Sequence, residues 1–244
     1  MKAVILAAGR GTRLEPLTTH IPKCLVEVGG VTLLDRMVAR LTAAGIDGIV
    51  VVTGHGHDAV VRHLAAASDP RARAATTVFN DRYTDWGNYY SLLMAEEAVS
   101  GDDFIALDGD VILGPGVLER LLAASGDLVL AVDRSVELGE EEMKACLDEA
   151  GRVRALNKRI EPNEACGEFI GVERINTAGA ARVFDELRRM TRDGETHEYY
   201  ERAFERLAGD IAIEAADVSG CVWCEIDDAR DLERATGIVE RGEA

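Results

Sequence analysis

Apolar positions in the first half of the chain follow two alternating rhythms. Residues 3–6, 48–53, 104–107 and 127–132 form short, nearly continuous apolar runs, the pattern of strands buried on both faces, and the β-branched and aromatic run 76–79 reads as a further strand. Between them, residues 32–44, 57–67, 88–99 and 116–124 repeat apolar side chains every three or four positions, the period of a helix with one face on a core. Ala44-Gly45-Ile46 reads as a helix end leading into a strand. Strands and helices in alternation predict an α/β chain with a mostly parallel central sheet and helices on both faces. Ligands of such sheets bind at the carboxyl ends of the strands.

The second half breaks the alternation. Residues 143–147 and 152–156 flank Asp148-Glu149-Ala150-Gly151 and read as a small β-hairpin extension. A strand over 168–175, helices over 177–192 and 198–208, strands over 211–215 and 222–226, and a last helix over 229–239 complete the expected elements. No internal repeat or linker interrupts residues 1–244, so a single domain is expected.

Composition removes several function classes. The 244 residues are 47% hydrophobic and 29% charged, ordinary for a globular enzyme. No run of eighteen apolar residues is present, and the opening (one lysine, a short strand, then arginines) does not read as a secretory signal, so no membrane partner is expected. The formal charge of −17, from 44 acidic and 27 basic residues, repels a phosphate backbone and argues against nucleic acid. An anionic substrate would need a local basic pocket, with divalent metal helping. Five cysteines at irregular positions fit reduced thiols and a cytoplasmic location. Cys221 and Cys224 are three apart in a strand-like run, which would face them oppositely, so packing is expected of them rather than metal binding.

The first strand runs into Ala7-Ala8-Gly9-Arg10-Gly11-Thr12-Arg13, with Pro22-Lys23 about ten residues on. Small side chains let backbone N–H groups approach a phosphate chain, and Arg10, Arg13 and Lys23 offer compensating charge. The spacing matches neither a Walker A loop nor a dinucleotide fingerprint, whose third glycine is replaced by Leu14. A strand then ends in Asp108-Gly109-Asp110, and another in Glu225-Ile226-Asp227-Asp228. Oxygen-only ligands at strand ends suit Mg²⁺, and two such ends could clamp one ion, although Asp108 and Asp110 alone equally fit a turn cap.

The run LAAGRGTRLEPLTTHIPKCLVEVGG (6–30) resembles the signature of the nucleotidyltransferase superfamily that makes activated sugars and alcohols. NDRYTDWGNYYSLLMA (80–95), DGD (108–110) and WCEIDDARDLERA (223–235) are similar to its bacterial CTP:phosphocholine and phosphonate cytidylyltransferase branch. The resemblance implies a Rossmann-like fold with a nucleotide-binding half over about 1–135 and an acceptor-binding half over about 136–244. It implies transfer of CMP from CTP to a small phosphate- or phosphonate-bearing acceptor, with pyrophosphate leaving and Mg²⁺ as cofactor. Leu6, Ala7, Ala8, Gly9, Gly11, Thr12, Arg13 and Lys23 would surround the triphosphate. Asn80, Asn88, Ser91 and Asp108 would complete the nucleotide site. Lys23, Arg13 and Asp110 would be catalytic. Asp110 and Asp227 would bind metal, with Glu225 taking the second place under a register shift.

On the acceptor side the resemblance points to Lys158 and Glu168. The family's Glu-Lys-Pro context at Lys158 is replaced by Leu156-Asn157-Lys158-Arg159, which weakens a sugar-phosphate reading. A choline head group would want aromatics with acid nearby, for which Trp86, Tyr89, Tyr90, Glu198, Tyr199 and Tyr200 are candidates, although tyrosine pairs on helices commonly pack in cores. A homodimer is possible. The alternatives are a sugar-1-phosphate nucleotidyltransferase using another NTP, and a non-catalytic nucleotide-binding domain. His55 and His57, and the acidic run 137–142, are expected to be solvated, the latter as a mobile turn.

Overall fold

A computed structural model describes all residues, Met1–Ala244. Strand β1 (Lys2–Ala7) leads through single 3₁₀ turns at Thr12–Leu14 and Lys23–Leu25 to a two-residue ladder, β2 (Glu27–Val28) with β3 (Val31–Thr32). Then come α1 (Leu33–Ala43), β4 (Gly48–Thr53), α2 (His57–Ala66), α3 (Pro70–Arg73) and β5 (Thr76–Phe79). Helices α4 (Tyr89–Met94) and α5 (Glu96–Val99) precede β6 (Phe104–Asp108), β7 (Val111–Leu113), α6 (Val117–Ala123) and β8 (Leu128–Asp133). The second half supplies β9 (Lys144–Leu147), β10 (Val153–Asn157), β11 (Gly167–Ile175), α7 (Thr177–Arg192), α8 (Glu201–Leu207), β12 (Ile213–Asp217), β13 (Trp223–Glu225) and α9 (Ala229–Glu240).

One nine-stranded sheet carries the molecule, in the order β10-β9-β11-β6-β1-β4-β5, with β8 beside β11 and β12 beside β8. Its centre, β6-β1-β4-β5, is parallel throughout. The order reverses at β1: β4 lies on one side and β6 on the other. That switch point opens a crevice at the carboxyl ends of β1 and β6. Alternate side chains of β1 feed opposite cores, Ala3 and Ile5 packing with Ile105 and Leu107, Val4 and Leu6 with Val50 and Ala106. β11 runs antiparallel to β6, β8 and β9, and β9 with β10 forms the expected hairpin.

Two features depart from the periodic reading. The helix expected over 88–99 is broken at Ala95, whose N–H turns back to the Leu92 carbonyl at 3.1 Å. The short β7, which the apolar pattern does not separate from its surroundings, pairs antiparallel with β13 outside the main sheet. Trp223 faces Leu113 and Glu225 faces Val111 across this ladder, and the Ile226 N–H donates to the Asp110 carbonyl at 3.1 Å. A three-residue strand thus ties the two acidic strand ends together. Cys221 lies outside β13 and Cys224 is buried within it; all five cysteines are free thiols.

Candidate active site

The opening loop crosses the carboxyl end of β1. The His55 N–H donates to the Ala8 carbonyl and the Gly109 N–H to the Leu6 carbonyl, at 3.0 and 2.9 Å. Gly11 has φ +60°, and a Cβ there would sit 3.2 Å from that of Lys23, so the turn folds directly onto the lysine. A Cβ on Gly9, by contrast, would meet nothing within 4 Å. That open side of the loop is room for a ligand. Gly109 is needed for another reason: a Cβ there would lie 2.7 Å from the Leu6 carbonyl oxygen and push the two aspartates away from β1.

Lys23 is the centre of the charge arrangement. Its Nζ donates to Asp110 Oδ2 and Asp227 Oδ1, both at 2.7 Å, and Arg13 Nη2 pairs with Asp227 Oδ2 at 2.8 Å. Burial alone would lower the Lys23 pKa; the two carboxylates outweigh it and hold the ammonium above its ordinary value. One carboxylate oxygen from each of Asp110, Glu225 and Asp227 lies within 4.8 Å of the other two. Burial, then repulsion from Asp110 and Asp227, pushes Glu225 up to about 8. Asp110 Oδ1 is buried without a hydrogen-bond partner. Three carboxylates, one of them carrying an orphaned oxygen, are a donor set that fits a hard divalent cation such as Mg²⁺. Glu225, the register alternative, stands beside Asp227 in the same cluster.

A cavity of about 920 Å³ opens from this cluster, lined by Leu6, Ala7, Ala8, Gly9, Gly11, Thr12, Arg13 and Lys23 on one side. Arg10 is exposed and does not line it. Asn88, Ser91 and Asp108 lie along the same cavity. Asn80 does not: it is 1% exposed and donates from Nδ2 to Ser91 Oγ at 2.9 Å, holding the serine from behind. Asn88 accepts the Tyr200 N–H at 3.0 Å, which joins α4 to the start of α8. Burial, then Asp110, Glu201 and Glu225, drives Asp108 well above the usual carboxylate range.

Of the acceptor-side residues, Lys158, Glu168 and Tyr199 line the cavity and Tyr200 does not. Tyr200 is fully buried, packs against Phe169 and Phe204, and reaches only with its hydroxyl, which donates to Asp108 Oδ2 at 3.2 Å. It is therefore a core residue behind the site, a correction to its expected place against the acceptor. Trp86, Tyr89 and Tyr90 pack on one another with no part in the cavity. Lys158 Nζ sits 5.6 Å from the Tyr199 ring centre. Glu168 is pushed up to about 7 by burial, then by Glu142 and Asp133.

Several lining residues escaped the sequence reading. Asp133 ends β8 and accepts the Trp223 Nε1–H at 2.8 Å, which fixes the indole at the cavity wall. Asp133 repeats the acid-at-strand-end signal of Asp110 and was detectable by it. Glu201 and Arg234 lie on helices, where nothing in the spacing marks them. His55 Nε2 and His57 Nδ1 are bonded locally, at 3.0 Å to the Thr18 carbonyl and 2.7 Å to Thr53 Oγ1, rather than solvated.

Residues 3–207 match the family model of the MobA-like NTP transferase domain. The chain belongs to this family. The chain is 30% identical over 247 residues to the CMP-5'-(3-aminopropyl)phosphonate synthase of Streptomyces rubellomurinus, an alignment covering 96% of this chain and 38% of that protein. It is 37% identical over 110 residues to the choline-phosphate cytidylyltransferase of Streptococcus pneumoniae, covering 44% of each. These alignments thus cover half or less of the length of the two relatives. Among solved structures, the CTP:phosphocholine cytidylyltransferase of Streptococcus pneumoniae superposes with a TM-score of 0.80 at 23% identity, covering 98% of both chains, a likeness of fold. The NTP transferase domain is accordingly an α/β, Rossmann-like nucleotidyltransferase, and none of its helices is long and apolar enough to cross a membrane.

Proposed function

We propose that this domain transfers CMP from CTP to a small phosphate- or phosphonate-bearing acceptor, releasing pyrophosphate. The observation that carries the reading is Lys23, held at 2.7 Å from both Asp110 and Asp227 at the mouth of an open glycine loop. The cytidylyl choice rests on the curated relatives, named for CMP and cytidylyl transfer. Residues 1–135 would hold the nucleotide and 136–244 the acceptor. Loop N–H groups from Ala8 to Thr12 would cradle the triphosphate, while Arg13 and Lys23 neutralise its oxygens. Asn88 and Ser91 would border the nucleoside.

An ionised acceptor oxygen attacks the α-phosphorus in line with the departing pyrophosphate. It needs no general base, since a phosphate or phosphonate is already deprotonated at neutral pH. Catalysis is then positioning plus stabilisation of gathering negative charge. Asp110 and Asp227, with Glu225, would hold Mg²⁺, which supplies Lewis-acid charge at the phosphate oxygens. Twelve acidic side chains line the cavity against four basic ones, which favours an acceptor whose far end is cationic. Glu168 and the fixed face of Trp223 would receive that end.

A panel of CTP, UTP, GTP, dTTP and ATP, each with Mg²⁺ and phosphocholine or 2-aminoethylphosphonate, tests the donor by pyrophosphate release. CTP is expected to lead the others by about tenfold or more in kcat/KM, a difference of about 1.4 kcal/mol. Preference for another NTP would refute the cytidylyl assignment.

Glu168 gives a pH signature. Its carboxyl is raised to about 7, so it is neutral below that pH and charged above it. The KM for a cationic acceptor should therefore fall as pH rises from 6 to 8, and Glu168→Gln should flatten the profile. The sign for folding is opposite: a raised carboxyl contributes stability at low pH that is lost as pH climbs through 7. A rising acceptor KM over the same range would remove Glu168 from acceptor recognition.

A further inference from the structure

The acidic segment 137–142 exposes the side chains of Glu137, Glu140 and Glu141, as expected, but its main chain is folded against a buried cation. Lys144, the first residue of β9, has no exposed surface. Its Nζ donates to the main-chain oxygens of Gly139 at 2.9 Å, Glu140 at 3.2 Å and Glu142 at 3.2 Å. These bonds use all three ammonium protons. The Gly139 N–H donates in turn to Glu142 Oε2 at 2.7 Å, closing the loop on itself. Burying an ammonium is costly unless its hydrogen bonds are made, so this complete set marks a built anchor. Lys144 also stands in register with Glu168 on β11, and Glu137, Glu141, Glu142 and Met143 line the cavity beside it.

We propose that Lys144 is a positioning residue for the acceptor: it fastens the 137–142 loop as a fixed wall, so that Glu141 and Glu142 stand in place before the acceptor arrives. A wall ordered in advance spares binding the entropy of ordering it. The proposal rests on the reading of this cavity as the acceptor site of a cytidylyltransferase. Lys144 touches neither substrate nor the carboxylate cluster, so its effect belongs in the acceptor KM rather than in turnover.

The test uses Lys144→Met, which keeps the aliphatic stem and deletes the ammonium, and Lys144→Arg, which keeps charge and donors. Amide hydrogen exchange of the free protein reads the wall. In Lys144→Met the amides of 139–143 should exchange about tenfold faster or more, with those of β1 and β6 unchanged and partial recovery in Lys144→Arg. Kinetics with CTP and phosphocholine or 2-aminoethylphosphonate read the consequence. The acceptor KM should rise about tenfold while kcat and the CTP KM stay within about twofold. Unchanged exchange overturns the anchor, and faster exchange with an unmoved acceptor KM overturns the positioning role. If the Met variant does not fold, wild-type exchange decides: amides of 139–143 exchanging at the rate of an unstructured peptide overturn the proposal. Failure of wild-type protein to use either acceptor counts against the proposed function instead, and the exchange result alone then decides the anchor.

Discussion

Lys23→Ala is expected to lower kcat by about 10²- to 10³-fold, the cost of deleting one preorganised charge where negative charge gathers in the transition state. Lys23 is the one side chain that reaches both acidic strand ends, and the opening loop folds onto it at Gly11. Arg13 cannot replace it, being far more exposed and paired with Asp227 alone. The same change leaves Asp110, Glu225 and Asp227 facing one another without their shared cation. Removing one partner from a half-buried ion pair exposes the repulsion of the rest. The melting temperature in metal-free buffer should therefore fall, and Mg²⁺ should recover part of the loss. Pyrophosphate release and a thermal melt read both effects; turnover above about a tenth of wild type would exclude Lys23 from catalysis.

Asp110→Asn should reduce kcat by about 10²-fold or more and shift the Mg²⁺ requirement to higher concentration. The substitution is isosteric, and the Asn side-chain oxygen can still accept from Lys23, so a loss of activity reports on charge and metal affinity rather than on packing. Stability should move the other way from Lys23→Ala. Asp110 is the neighbouring carboxylate that most raises Glu225, so its neutralisation relieves the cluster. Without metal, this variant should melt no earlier than wild type. Near wild-type turnover, with an unchanged Mg²⁺ titration, would move the metal assignment elsewhere.

The parallel centre of the fold was legible because β1, β4 and β6 are buried on both faces, while β5 lies at the sheet edge. The runs at 48–53 and 76–79 became β4 and β5 residue for residue, and the helix periods located α1, α2 and α7 within one or two positions. The phosphate loop was legible for a different reason: small residues beside a Pro-Lys pair have few other uses. What brings the two acidic strand ends together was not legible. It is the β7–β13 ladder, three residues on each side, too short for any period to show. The acceptor wall was harder still, because it joins a loop, a helix and two strand ends far apart in sequence. Tyr200 was misplaced for that reason. A tyrosine pair carries no mark of which ring faces the cavity, and here Tyr199 is half exposed while Tyr200 is fully buried. Lys144 likewise carries no mark of its role in the sequence, because its three partners are main-chain oxygens of the loop before it.

The most direct test of nucleotidyl transfer follows the phosphates themselves. The protein is incubated with Mg²⁺, phosphocholine or 2-aminoethylphosphonate, and CTP labelled at either the α- or the γ-phosphate. In-line attack at the α-phosphorus predicts that α-label appears in a CMP-linked acceptor and γ-label in pyrophosphate. Transfer of γ-label to the acceptor, or no labelled product from either acceptor, would contradict the account.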